Sequence, residues 1–207
     1  MMILNLSSSM QIQQAMLARG DRSNFTKCMQ VSHVEVNGKV LGVVGAGTIG
    51  REVIKVAQAL GMKVLAYTRT PRADEDNLKY VSLEELLKQS DYISLHCPLT
   101  PQTRHMINKE TIAMMKPTAY IINTGRGALI DEPALIEALK EGRIAGAGLD
   151  VQETEPPVQD NPLYDMPNVI LTPHMGWKGL ETRQRLVSIL AANIQAFDEG
   201  RPQNVVS

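Results

Sequence analysis

Two hundred and seven residues suffice for one large domain or two small ones, and a chain this long buries roughly 70% of its extended-state surface without covalent staples. With 43% hydrophobic, 21% charged and 4% aromatic residues the composition is ordinary globular, which excludes a disordered chain. Twenty-one basic against 22 acidic side chains leave a net charge of −1, and no run of about 20 apolar residues exists, so neither nucleic acid nor a membrane is an indicated partner.

At the amino terminus Ile3, Leu6, Met10 and Leu17 suggest one helical face, which Ser7-Ser8-Ser9 weakens, and residues 20–37 read as loop. The first residues lack a basic stretch, and their apolar part is too short for a signal peptide. This segment reads as an element whose packing partners lie elsewhere. From residue 40 onward, short apolar runs alternate with stretches of helical period. The runs are Val40–Val44, Lys63–Tyr67, Tyr92–Leu95, Ala119–Ile122, Ala145–Leu149 and Val169–Thr172, without the polar alternation of a half-exposed strand.

Between the runs, helix ends are readable. Ile49, Val53, Val56 and Leu60 predict one buried helical face that stops at Gly61. Ser82 and Glu85 form a capping-box pair ahead of Leu83, Leu86 and Leu87. Asn108 caps a short helix ending before Pro117, and Asp131 caps another, with Pro133 in its first turn and Gly142 beyond its end. A last helix places Leu186, Leu190, Ile194 and Phe197 on one stripe and closes at Gly200. Such alternation predicts an α/β fold, a doubly wound parallel sheet in three αβα layers.

Gly45-Ala46-Gly47-Thr48-Ile49-Gly50 is a G-x-G-x-x-G turn that follows a strand and opens a helix. In that context Gly45 allows the tight turn, Gly47 lets the backbone approach a pyrophosphate, and Gly50 lets the helix close on the sheet. The expectation is a Rossmann-type dinucleotide site. An acidic residue for the ribose hydroxyls of NAD belongs at the end of the second strand, but Thr68 stands there, eighteen residues past Gly50. Arg69 and Arg72 follow, either to accept a 2′-phosphate or as solvated loop residues. The coenzyme is therefore NAD or NADP, with NADP favoured.

Three polar motifs follow buried runs in the second half: Asn123-Thr124-Gly125-Arg126-Gly127, Asp150-Val151-Gln152-Glu153-Thr154-Glu155-Pro156, and Thr172-Pro173-His174-Met175-Gly176. In a parallel sheet all three reach the carboxyl-terminal strand edge, beside the glycine turn. No His/Cys cluster has metal-ligand spacing, and no metal is expected. His33, His96 and His105 have no partner motif and read as structural. Cys97 has no base spaced to activate it, and Cys28 and Cys97 alone build no disulfide framework, which fits a reducing, cytoplasmic setting.

Together with His96-Cys97-Pro98-Leu99-Thr100-Pro101 and the ending Gly200-Arg201-Pro202-Gln203-Asn204-Val205-Val206, these motifs resemble the D-isomer-specific 2-hydroxyacid dehydrogenases over residues 38–207. The run from Pro173 through Leu186 looks closest to the glycerate dehydrogenase and hydroxypyruvate reductase branch. The resemblance implies that Arg126 clamps the carboxylate and carbonyl of a 2-keto acid, a task suited to its planar, permanently charged fork. It implies that His174 is the proton donor, with Glu155 as its partner and Glu153 as the near alternative. Asp150 is implied to hold the nicotinamide carboxamide. Thr48, Ile49, Cys97, Pro98, Thr103, Thr124, His174 and Gly176 are implied to surround the coenzyme with Gly45, Gly47, Gly50, Thr68 and Arg69.

Family members also carry a separate substrate domain that this sequence does not show. The expectation is a truncated member: residues 1–37 as linking helix and loop, residues 38–207 as the dinucleotide-binding domain with its C-terminal helix. A homodimer, a substrate such as hydroxypyruvate or glyoxylate, and weak turnover alone follow. A coenzyme-binding, corepressor-like module without turnover is the alternative.

Overall fold

The computed structural model describes residues 1–26, 30–70 and 72–206, so Cys28 lies outside the described residues. These fall into two compact units, Met1–Thr172 and Pro173–Ser207.

In the first unit, helices α1 (Met2–Ser7), α2 (Met10–Ala18) and α3 (Ser23–Thr26) precede strand β1 (Val40–Val44). Then come α4 (Thr48–Ala59), β2 (Lys63–Tyr67), β3 (Leu78–Tyr80), α5 (Leu83–Gln89), β4 (Tyr92–Leu95) and α6 (Lys109–Ala113). The unit finishes with β5 (Tyr120–Asn123), α7 (Glu132–Lys140), β6 (Gly146–Leu149) and β7 (Val169–Leu171). The strands pair in the order β3-β2-β1-β4-β5-β6-β7, every pair parallel. All carboxyl ends therefore share one edge, and the chain reverses its direction of winding between β1 and β4, where an open α/β sheet leaves a crevice.

Successive strand residues face opposite sides of the sheet. Val44, Leu65, Ile93, Leu95, Ile121 and Leu149 pack with Leu86 and Leu87 of α5, Ile112 of α6 and Leu135 of α7. Leu41, Val43, Val64, Ala66, Tyr92 and Ile122 pack on the other face with Met2 and Leu6 of α1 and Ile54 and Ala57 of α4. Two cores, one on each side of the sheet, give the three layers of a doubly wound Rossmann fold.

The α1 segment finds its packing partners on this chain's own sheet, contrary to the expectation from sequence. Gly148 of β6 leaves the room, since a Cβ there would stand 3.1 Å from Met2. The serine run breaks the helical face as its chemistry suggests. The Ser7 and Ser8 hydroxyls donate back to the Leu4 carbonyl at 2.9 and 2.8 Å, and Ser9 turns left-handed with φ of 50°. Met10 and Leu17, on the far side of that break, stay exposed.

The α4 face is also corrected. Ile49, Val56 and Leu60 are exposed, whereas Gly50, Ile54 and Ala57 are buried. The residue that must lie nearest the sheet is Gly50, and that requirement rotates the large apolar side chains outward. Asn108 and Asp131 cap as expected, Asn108 in a capping box with Thr111 and Asp131 accepting from the Ala134 amide, whereas the Ser82–Glu85 capping box forms by half: Ser82 Oγ accepts from the Glu85 amide, but the Glu85 carboxylate accepts from Gln89.

The second unit, described by itself, is a loop leading into α8 (Leu180–Asp198) and a short tail. Gly200 ends the helix with φ of 70°. Leu186, Leu190, Ile194 and Phe197 form the foreseen stripe and all are exposed. The Arg183 guanidinium stands 5.9 Å over the Trp177 ring. No helix of the described residues is long and apolar enough to cross a membrane.

Candidate active site

The turn after β1 shows three different uses of glycine. Gly45 has φ of 100°, and a Cβ there would stand 2.7 Å from the Cys97 nitrogen, so both conformation and space require glycine. At Gly50 a Cβ would meet the Gly45 carbonyl oxygen at 2.0 Å; this is where α4 closes on the turn. Gly47 is different, because nothing lies within 4 Å of its Cβ position. It is the N-cap of α4 and offers no side-chain bond to the first-turn amides, so those donors and the positive end of the helix face open space.

That space opens into a cleft of 390 Å³ at the β1–β4 switch point, lined among others by Gly45, Gly47, Thr68, Arg69, Cys97, Pro98 and Thr103. The strand ladder continues just far enough to place them. Gly45 donates to the Tyr67 carbonyl at 2.9 Å, and His96 donates to the Val44 carbonyl at 2.8 Å. Among the described residues the lining holds two guanidinium groups, Arg69 and Arg72, and no carboxylate. Thr68 Oγ1 donates to the Thr70 carbonyl at 2.7 Å and fixes the turn that carries the arginines. Thr103 Oγ1 donates to the Pro98 carbonyl at 2.7 Å and accepts from the Thr100 amide at 2.8 Å, so it braces the opposite wall.

Tyr67, Gln102 and Met106 also line the cleft without any reading from sequence, and so does His96, which the sequence marks only as structural. Their signal was positional: each lies in a segment that leaves a carboxyl strand end. His96 shares a 2.8 Å hydrogen bond with Ser94, and burial holds its imidazole below its ordinary pKa, hence neutral. Burial likewise pushes the Cys97 thiol up, away from a reactive thiolate.

Farther along the same edge, the Arg126 loop hangs from β5. Asn123 folds it: its Oδ1 accepts from the Gly125 amide at 3.0 Å and its Nδ2 donates to the Arg126 carbonyl at 2.8 Å. The Arg126 guanidinium is exposed and turns back to the Gly125 carbonyl at 2.8 Å, and among the described residues no carboxylate pairs with it. The neighbouring β6 loop begins at Asp150, buried, with Thr172 Oγ1 donating to it at 2.5 Å. Five residues on, the exposed Glu155 accepts from the Gln152 amide at 3.2 Å. Thr124 is exposed on the β5 side. Arg126, Asp150 and Glu155 thus come from adjacent loops of one unit, beyond the residues that line the cleft.

Glu153 is committed differently. It accepts from His105 Nε2 at 2.6 Å and Arg104 Nη2 at 3.2 Å, so His105, read as structural from sequence, is hydrogen-bonded to a carboxylate. His174 and Gly176 belong to the second unit, where His174 is half-buried and adopts a left-handed backbone with φ of 49°. Thr48 and Ile49 form the exposed first turn of α4. Among the described residues no group of three His, Cys, Asp or Glu side chains could hold a metal ion.

Residues 1–176 match the D-isomer specific 2-hydroxyacid dehydrogenase, NAD binding domain. The hydroxypyruvate reductase of Blautia hydrogenotrophica is 50% identical over 176 residues, 84% of this chain and 55% of that protein. The glycerate dehydrogenase of Methylorubrum extorquens is 49% identical over 174 residues, 83% of this chain and 54% of that one. A solved acyclic imino acid reductase in complex with NADPH and D-Arg superposes with a TM-score of 0.89 at 33% identity, covering 99% of this chain and 64% of its own. The chain spans about half the length of the curated relatives it matches. A family match across residues 1–176, on a parallel sheet whose glycine turn opens into a carboxylate-free cleft, establishes that this chain belongs to the D-isomer specific 2-hydroxyacid dehydrogenases.

Proposed function

We propose that the chain carries the coenzyme-binding domain of an NAD(P)-dependent oxidoreductase acting on a small D-2-hydroxy acid or 2-keto acid of the hydroxypyruvate or glyoxylate type. The observation that supports it most is the Gly47 position, open where Gly45 and Gly50 are closed, at the mouth of a cleft with no carboxylate. A dinucleotide fits that arrangement, its pyrophosphate against the free amides of α4 and its adenosine end beside Thr68. Thr68 in the place of an acidic residue, with Arg69 and Arg72 lining the same wall, supports NADP over NAD.

When bound, the nicotinamide supplies or accepts the hydride at the substrate's carbon 2. The remaining work is the chain's own. Arg126 pairs its fork with the substrate carboxylate and draws electron density toward the carbonyl oxygen. His174 gives that oxygen its proton as the alcohol forms, and takes it back in oxidation. The family resemblance assigns Glu155 the part of the imidazole's acidic partner, and Asp150 would hold the carboxamide. The same reading makes the protein a cytoplasmic homodimer, which the exposed apolar stripe of α8 supports and sedimentation would test.

Calorimetric titration with NADH and NADPH, followed by turnover assays with hydroxypyruvate and glyoxylate, tests the proposal. NADPH should bind the tighter, and replacing Arg69 and Arg72 with alanine should weaken it by about tenfold or more while sparing NADH. Failure of both coenzymes to bind would end the reading. Binding without turnover of either acid would leave a coenzyme-binding module.

A further inference from the structure

Glu153 joins three segments that each bear a residue of the proposed site. Its Oε1 accepts from His105 Nε2 at 2.6 Å and from Arg104 Nη2 at 3.2 Å, which ties it to the loop whose earlier part lines the coenzyme cleft. Its Oε2 accepts from the Glu132 amide at 3.3 Å, and Glu132 returns the bond by accepting from the Glu153 amide at 3.0 Å. The two carboxylates therefore cap each other's backbone, fastening the Asp150–Glu155 loop to the start of α7, just after the Arg126 turn. From Glu132 the chain of bonds runs on through buried Asn161, which donates to Glu132 Oε1 at 2.7 Å and accepts from the Leu163 amide at 3.0 Å. It ends in the hydrophobic core, where Leu163 is buried.

The arrangement is costly to build. His105 holds a left-handed backbone with φ of 50°, uncommon for residues other than glycine, and the His105 amide is anchored to the Ala128 carbonyl at 2.8 Å. With three donors on its two oxygens and a side chain only 21% exposed, Glu153 cannot turn to serve a second imidazole without abandoning His105. What it controls is its neighbour: the Gln152 amide donates to Glu155, and the Gln152 carbonyl rests on Gly127.

We infer that Glu153 is a positioning residue, locked by His105 and Arg104 so that the Asp150–Glu155 loop holds Glu155 and the Arg126 turn in fixed register. The inference rests on the proposed function for its meaning in catalysis, but its geometry can be tested apart from it. The variants are Glu153→Gln, which keeps size and loses charge, and His105→Asn, which tolerates the left-handed backbone and is too short to reach Glu153. Amide hydrogen exchange of residues 150–155 should quicken about tenfold in both, with the sheet amides unchanged. In turnover, kcat should fall about ten- to a hundredfold while the Kd for coenzyme changes less than about twofold. Unchanged exchange in His105→Asn would overturn the inference. So would a Glu153→Gln variant as inactive as His174→Ala beside a fully active His105→Asn, because Glu153 would then act on the reacting groups. If Glu153→Gln does not fold, His105→Asn decides alone. If the unaltered protein binds coenzyme without turnover, the exchange experiment still decides, and only the functional reading has failed.

Discussion

Gly127 lies so close beneath the Gln152 carbonyl that a Cβ built on it would stand 1.9 Å from the oxygen. Two loops from neighbouring strands touch there backbone to backbone, one carrying Arg126 and the other Glu155. Neither can give way easily, because Asn123 pins the first and the Glu132–Glu153 exchange pins the second. Gly127→Ala should therefore cost about 1–3 kcal/mol in urea unfolding and pry the two loops apart. An unchanged unfolding midpoint would mean that the loops slide past each other, and the register argument for Arg126 and Glu155 would fall.

The three glycines of the first turn separate fold from ligand. Alanine at Gly50 places a methyl group against the Gly45 carbonyl at 2.0 Å, so that variant should lose stability and coenzyme together. Alanine at Gly47 meets nothing within 4 Å and sits in ordinary extended backbone, φ −80°. Its unfolding free energy should stay within about 0.5 kcal/mol of the parent while dinucleotide affinity drops at least about tenfold. Equal affinity in calorimetry would show that the pyrophosphate passes elsewhere.

Much of this architecture is written locally. Apolar runs such as Val40–Val44 and Tyr92–Leu95 became the central strands within a residue, because a strand buried on both faces must be apolar throughout. Strand β3 was not legible, since its three residues bury only Leu78 and leave Lys79 exposed at the sheet edge. The α4 stripe misled because large apolar side chains outweigh glycine in any hydrophobic pattern, whereas the sheet selects the residue with no side chain. The glycine turn and the Arg126 and Glu155 motifs could be read because each is contiguous. The His105–Glu153 pair could not, since its partners are 48 residues apart and meet only when the connection after β4 reaches across β5 to the loop after β6.

Tyr92 offers a stability test inside the core. Its ring stacks on Tyr120 with centroids 5.4 Å apart, and its buried hydroxyl makes no hydrogen bond of good geometry among the described residues, with the Ser7 side chain as its polar neighbour. Burial, with Tyr120 and Asp91 nearby, pushes the phenol up to about 12, so the hydroxyl is neutral at any working pH. Tyr92→Phe removes a poorly paired buried polar atom and keeps the stack. Thermal and urea unfolding should show no loss and a gain of up to about 1 kcal/mol. A loss of more than about 1 kcal/mol would show that the hydroxyl is bonded after all.

Asp91 should make the fold sensitive to acid. At the amino-terminal edge of the sheet its Oδ2 accepts from the Val40 amide and its Oδ1 from Lys116 Nζ, both at 2.8 Å, so one carboxylate ties β1 to β4 and reaches the segment before β5. Burial works to raise its pKa, but the Lys116 ammonium and the Val40 N–H outweigh it and hold the carboxyl below the usual range. A depressed folded-state pKa means that the unfolded chain takes up the proton first as pH falls. The stabilisation is thus complete above the unfolded value near 4 and disappears as pH drops through the lower folded value. Asp91→Asn should lower the unfolding free energy by about 1–2 kcal/mol at pH 7. As pH falls below about 4 the gap between variant and parent should narrow, because the parent progressively loses the same charge. A gap of constant size across urea titrations at pH 7, 4 and 2.5 would show that Asp91 acts through shape and hydrogen bonding alone, with its charge irrelevant.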